Sequence, residues 1–122
     1  MDQYKVKAKS SSGGYYEVTL TNSGTSIAVF CTCDAGVNRK LCRHKIGILD
    51  GNINLLFDQD EKDVIDKIKS LADKSTYPDL RKTHLHIKAE IEFLQKKEKH
   101  AKTNIETAMK MGLSLTMIKE GP

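Results

Sequence analysis

The chain has no tryptophan, only two prolines, and aromatic residues at just 6% of positions. Aromatic side chains bury the most surface per residue, so their scarcity limits the core to a small one. Long apolar runs are missing as well. No stretch approaches the roughly 20 residues that a membrane-spanning helix needs, so membrane insertion is not expected. The first ten residues contain no apolar run, so no signal peptide is expected and a cytoplasmic setting is the reading. Cysteine is scarce too. There are three, an odd number, all between positions 31 and 42, which argues against a disulfide scaffold and for thiolates kept reduced as ligands. Catalytic signatures are absent: there is no phosphate-binding glycine loop and no paired catalytic carboxylates, and the order of residues supports no Ser-His-Asp arrangement. Asp58, Asp60, Glu61 and Asp63 read as the solvated acidic start of a helix. The expectation is a protein that is not an enzyme.

What remains is 122 residues, 39% hydrophobic and 30% charged, enough for one domain or one small domain with a helical extension. A half-length unit cut from such material is marginal on hydrophobic burial alone, so a metal or a partner is expected to assist it. The net charge is +4. Residues 1–50 and 81–110 carry more Lys and Arg than Asp and Glu, and residues 51–80 the reverse. That pattern fits weak attraction to a polyanion, and equally attraction between segments of the chain.

Hydrophobic period divides the chain. Residues 3–9 set Tyr4, Val6 and Ala8 on one face and Lys5, Lys7 and Lys9 on the other. Residues 15–21 alternate Tyr16, Val18 and Leu20 with Glu17 and Thr19, and residues 26–33 place Ile27, Val29, Cys31 and Cys33 on one side. Short polar turns separate these runs, so an antiparallel meander is predicted. Residues 41–49 then read as a short helix with Leu41, Ile46 and Leu49 inward, and Ile53, Leu55, Leu56 and Phe57 as a connector returning to the sheet. Residues 59–74 carry a helical stripe of Val64, Ile65, Ile68, Leu71 and Ala72. After Tyr77-Pro78, Asp79 is the expected cap of a long helix that ends near Met111 with Gly112 as its stop. Leu80, Ile87, Leu94, Ala101 and Ala108 recur every seven residues, with Ile91 and Ile105 beside them and His84 and Glu98 interrupting. Two arrangements fit this stripe: packing on residues 59–74 as a helical hairpin, or a homodimeric coiled coil through residues 80–111. The tail alternates Leu113, Leu115 and Met117, as a strand or a loose end.

The chemistry lies in one spacing, Cys31-x-Cys33, eight residues, then Cys42-x-His44. Alternate residues of a strand share a face, so Cys31 and Cys33 can present two sulfurs side by side. Gly36 offers a place for a tight reversal. Cys42 and His44 fall at the entrance of the next helix, where the first residue is not yet helical and the pair can converge. Three soft thiolates and one imidazole suit tetrahedral zinc, and four protein ligands leave no position for an activated water, so the expected Zn2+ is single and structural. His84, His86 and His100 form no second metal site, because residues two apart on a helix diverge.

The first fifty residues resemble the SWIM zinc finger, a family recognised by Cys-x-Cys and Cys-x-His following a short hairpin. The likeness extends to Asp34-Ala35-Gly36 after the second cysteine and to Arg43-His44-Lys45-Ile46. It implies zinc ligation by Cys31, Cys33, Cys42 and His44, a ββα-like fold, and binding of DNA or other proteins. Arg39, Lys40, Arg43 and Lys45 are the candidate phosphate contacts. The competing account is that these cations offset the single negative charge left by three thiolates and Zn2+. Lys5, Lys7 and Lys9 either extend the basic patch or form a solvated outer face. The expected fold class is therefore α+β: a small antiparallel meander and short helix around zinc in residues 1–57, a helical hairpin or coiled-coil extension with a long C-terminal helix in residues 58–111, and a tail in residues 112–122. Nucleic acid is the favoured partner, on the strength of the resemblance, and a protein partner is the alternative.

Overall fold

In the computed structural model residues 2–116 are described, and the alternation at the start of the chain becomes three strands, β1 (Asp2–Lys9), β2 (Tyr15–Asn22) and β3 (Ile27–Cys31). They form one antiparallel sheet in the order β1-β2-β3. The register sets Val6 opposite Val18 and Leu20 opposite Val29, so Tyr4, Val6 and Ala8, Tyr16, Val18 and Leu20, and Ile27, Val29 and Cys31 fall on one face. Two short helices come next, α1 (Asp34–Val37) and α2 (Arg43–Leu49), then 3-10 turns at Ile53–Leu55 and Gln59–Glu61. The chain continues into α3 (Lys62–Asp73) and α4 (Tyr77–Met111). The architecture is α+β, as the patterning predicts.

One core serves the sheet, the short helices and α3. It joins Val6, Ala8, Val18 and Leu20 to Ile48 and Leu49 of α2, to Leu56, and to Ile65, Ile68 and Ala72 of α3, with Cys31 and Cys33 in the same cluster. The connector returns to the sheet as expected. Leu56 bridges Ala8, and the Phe57 amide donates to the Lys7 carbonyl at 2.9 Å. The chain divides into two compact units, the first ending at Arg81 and the second beginning at Lys82 within α4.

Several local expectations need correction. β3 stops at Cys31, because the Cys33 side chain caps α1 and leaves the ladder. Leu41 is exposed because it lies ahead of α2, which begins at Arg43 after the Cys42 cap; Ile48 and Leu49 are the buried apolar residues of that helix. Helix α4 begins at Tyr77, where the Ser75 hydroxyl accepts from the Tyr77 amide at 3.0 Å. Pro78 is tolerated in the first turn, and Asp79 sits in that turn without being the cap. The helix ends at Met111 as expected, and Gly112 (φ +102°) takes the left-handed conformation that a helix stop uses. Residues 112–116 have no regular secondary structure, and Met117 lies outside the described residues. Helix α4 buries none of its residues. No helix among the described residues is long and apolar enough to cross a membrane.

The start of α4 is tied to α2 by polar contacts. The Tyr77 hydroxyl donates to Asp50 Oδ1 at 2.7 Å, and Arg81 Nη2 lies 3.2 Å from Asp50 Oδ2. Burial, then the Asp50 contact, pushes the Tyr77 phenol well above its ordinary value. Tyr77→Phe is expected to cost about 1 kcal/mol in urea unfolding at neutral pH. A raised pKa means stabilisation that is complete below the unfolded phenol value of about 10 and lost above it. The gap between parent and variant should therefore close in strong alkali; a gap constant with pH would remove the hydrogen bond as its cause.

Candidate metal centre

Each of the four residues is placed by a different local device. Cys31 is the last residue of β3, and its side chain follows Ile27 and Val29 onto the buried face. Two residues on, the chain turns into α1 with Cys33 as its N-cap (φ −69°, ψ 166°), and Cys33 Sγ accepts the Gly36 amide at 3.3 Å. Cys42 repeats this at α2: it is the N-cap (φ −137°, ψ 159°), and its sulfur accepts the Lys45 amide at 3.4 Å. Both sulfurs thus take the part that Ser or Asp plays at other helix starts, accepting a backbone N–H left free by the first turn. His44, in the first turn of α2, projects inward with Ile48 one helical turn later. Its ring lies 5.1 Å from that of Tyr16, centroid to centroid.

The ligand atoms of Cys31, Cys33, Cys42 and His44 all lie within 4.8 Å of one another. A tetrahedron with metal–sulfur bonds of about 2.3 Å has edges of roughly 3.8 Å, so the cluster is of the size that one such ion needs. Cys31, Cys33 and His44 are buried, and Cys42 is half-buried. An independent observation fits a metal: both ring nitrogens of His44 are buried without a hydrogen-bond partner, and no other buried side-chain polar atom among the described residues is in that condition. Burying a polar nitrogen unpaired costs about 1–3 kcal/mol, a cost that coordination removes.

The protonation states divide the cluster. Burial pushes the Cys31 thiol up to about 12. Burial acts in the same sense on Cys33, but the Gly36 amide, the thiols of Cys31 and Cys42, and the Ala35 amide together outweigh it and hold Cys33 below its ordinary value. His44 is held below its ordinary value by burial and then by Arg43. A neutral imidazole and an easily ionised Cys33 are the forms that a metal needs.

Gly36 is not the point of reversal that its type suggests. Its φ is ordinary for any residue, and the left-handed residue of the loop is Arg39 (φ +59°), whose amide donates to the Gly36 carbonyl at 2.9 Å. Glycine is required because α1 lies directly on β3. A Cβ on Gly36 would overlap the Cys31 carbonyl oxygen and lie 2.7 Å from its carbon.

The four cations singled out by sequence lie in and beside the segment that joins the two ligand pairs but are not equivalent. Arg39, Lys40 and Arg43 are exposed, whereas Lys45 is half-buried and its ammonium donates to the Lys40 carbonyl at 3.1 Å, closing the loop between the ligand pairs. His86 is 2.8 Å from Glu90 on α4, and no second group of His, Cys or acidic residues that could hold a metal occurs among the described residues. Sequence reasoning missed the two N–H···S bonds and the packing of Tyr16 on His44. The first pair was detectable in principle, since Cys33 and Cys42 each stand three residues before the amide they accept. Compared with known protein families, characterised proteins and solved structures, the chain matches none, so its likeness to the SWIM finger rests on the four ligand residues and their setting.

Proposed function

We propose that the first unit is a zinc-stabilised, SWIM-like module that performs no catalysis and binds nucleic acid through the basic surface beside the metal. The observation that carries this reading is the convergence of three sulfurs and one imidazole within 4.8 Å. Four protein ligands complete a tetrahedral shell, so a bound zinc has no open position and its role is to hold β3, α1 and α2 together. What the module then offers is surface, and Arg39, Lys40 and Arg43 are its exposed groups around the metal. Lys45 serves the loop first, given its bond to the Lys40 carbonyl.

The test has two parts. Purified protein should contain one zinc per chain, and cobalt substitution should give the intense visible bands of a tetrahedral thiolate site. Three phosphate contacts should then give a log–log salt slope of about −2.7 on duplex DNA. Neutralising Arg39, Lys40 and Arg43 to Gln should flatten it. Undetectable binding at low salt, or a slope unchanged in the triple variant, would remove these residues as phosphate contacts.

Helix α4 supports a second reading, association between copies of the chain through residues 80–111. Leu80, Ile87, Ile91, Leu94 and Ile105 are each about half exposed or more, on a helix that buries no residue. Single helices depend on packing for most of their stability. The expected result is a mass in light scattering of twice 13.7 kDa, reverting to the monomer in Ile91→Asp. A parent protein that stays monomeric at high concentration would end this reading.

A further inference from the structure

The sheet has a second face, and the metal centre does not use it. The register aligns Lys5 with Thr19 and Phe30, Lys7 with Glu17, and Lys9 with Tyr15, all opposite in direction to the buried row of Val6, Val18 and Cys31. This outer face carries aromatic rings that remain about half exposed. Tyr15 and Phe30 are each 49% exposed, and Phe57, delivered by the connector, is 46% exposed. These are three of only seven aromatic residues in the chain, so their placement outside a core short of aromatics calls for an account. They occupy two stations. Tyr15 and Phe57 pair at one end with ring centroids 5.1 Å apart, and Lys7 Nζ sits 5.2 Å from the Tyr15 centroid. Phe30 stands on β3 level with Thr19 near the middle of the sheet, about four residues or 14 Å further along at 3.4 Å per residue. The lysines run beside them on β1 at intervals of about 6.8 Å, the scale of one nucleotide of extended backbone. One acid shares the face, Glu17, which lies 3.9 Å from Lys5, and a second, Glu61, borders it at the edge of β1, where its carboxylate accepts the Lys7 amide at 2.9 Å. The cations outnumber the acids three to two.

We propose that this outer face is a platform for single-stranded nucleic acid, with Tyr15, Phe57 and Phe30 stacking on bases while Lys5, Lys7 and Lys9 follow the phosphates. The proposal rests on the nucleic-acid reading above and narrows it to single strands. A duplex hides the faces of its bases, so exposed rings gain nothing from it, whereas an unpaired strand offers a π-face at every nucleotide. Interleaving rings with cations is the arrangement that such strands favour, and it is sequence-tolerant because every base can stack. The alternation that buries Val6 and Val18 necessarily projects Lys5, Lys7 and Lys9 outward, so the platform is built by the same period that builds the core.

Fluorescence anisotropy with a labelled deoxythymidine strand of about fifteen nucleotides, and with a duplex of the same length, tests this on the zinc-loaded full chain. The single strand should bind at least about tenfold tighter than the duplex. Phe30→Ala and Tyr15→Ala should each weaken single-strand binding by about tenfold and leave duplex binding unchanged. Phe30→Leu, which keeps apolar bulk but removes the ring, should resemble Phe30→Ala, and zinc content and melting confirm that each variant is folded. Lys5, Lys7 and Lys9 changed together to Gln should flatten the salt dependence. If only the Arg39, Lys40 and Arg43 variant loses binding, the platform is overturned and the metal-loop reading stands. If no nucleic acid binds at low salt, both are overturned. Equal or tighter binding of the duplex also overturns the platform.

Discussion

Cys33→Ala is expected to abolish the cooperative unfolding transition of the first unit, and chelation of the parent protein should do the same. Structural zinc sites contribute an apparent ~10–16 kcal/mol at neutral pH, whereas an entire domain is stable by only ~5–15 kcal/mol. A core this small has no reserve to replace the ion. Removing Cys33 also takes the sulfur that accepts the Gly36 amide, so α1 loses its cap together with a ligand. The loss should not stop at the sheet and the short helices. Ile65, Ile68 and Ala72 of α3 belong to the same cluster as Cys31 and Cys33, so hydrogen-exchange protection in α3 should fall in step with that of β2. His44→Ala should behave alike. Acid should act in the same direction. The lowered His44 value means stabilisation present above its unfolded value near 6.5 and lost as pH falls through the folded value, and protons also compete directly with the metal for every ligand. Calorimetry with zinc present decides the matter: a Cys33→Ala protein that melts like the parent would mean that the site is not structural.

The metal ligands are legible in the sequence because the chemistry is carried by residue type and short spacing, which no tertiary context can alter. Every cysteine in the chain belongs to the pattern, and the structure brings all three together with His44. The buried faces of β1 and β2 are legible for a similar reason, since a period of two survives small errors in boundary. Helix faces are less forgiving. The pattern counts Leu41 into the stripe, but Cys42 takes the cap and α2 begins only at Arg43, so Leu41 lies outside the helical repeat and is exposed while Ile48 and Leu49 are buried. The cap of α4 is misplaced by sequence because Pro78 reads as a breaker, and only the backbone reveals that it lies in a first turn where its missing N–H costs nothing. The outer-face rings of Tyr15, Phe30 and Phe57 come from three separate segments, and their alignment depends on strand register, which alternation alone leaves open.

Gly36 is necessary for a cause other than the reversal its residue type suggests, and its substitution carries the second large expectation. At a position of ordinary φ, Gly→Ala usually stabilises by about 0.4–1 kcal/mol, because it restricts the unfolded chain. Here the sign should reverse. A methyl group at Gly36 would overlap the backbone of Cys31, which cannot swing aside as a flexible side chain could. Either α1 lifts from β3 or Cys31 is displaced, and each movement separates the two sulfurs of the first ligand pair. Overpacking of this kind costs about 1–3 kcal/mol by itself. Loss of the contacts that orient ligands lowers metal affinity by about 10–100-fold, so Gly36→Ala should be destabilised by several kcal/mol at limiting zinc. Its deficit should shrink as free zinc is raised, because mass action restores occupancy. Gly14→Ala is the control: a Cβ there meets nothing within 4 Å, and the change should stay within about 0.5 kcal/mol of the parent. If Gly36→Ala binds zinc and melts as Gly14→Ala does, α1 does not lie against Cys31, and the first pair of sulfurs is held by something other than that contact.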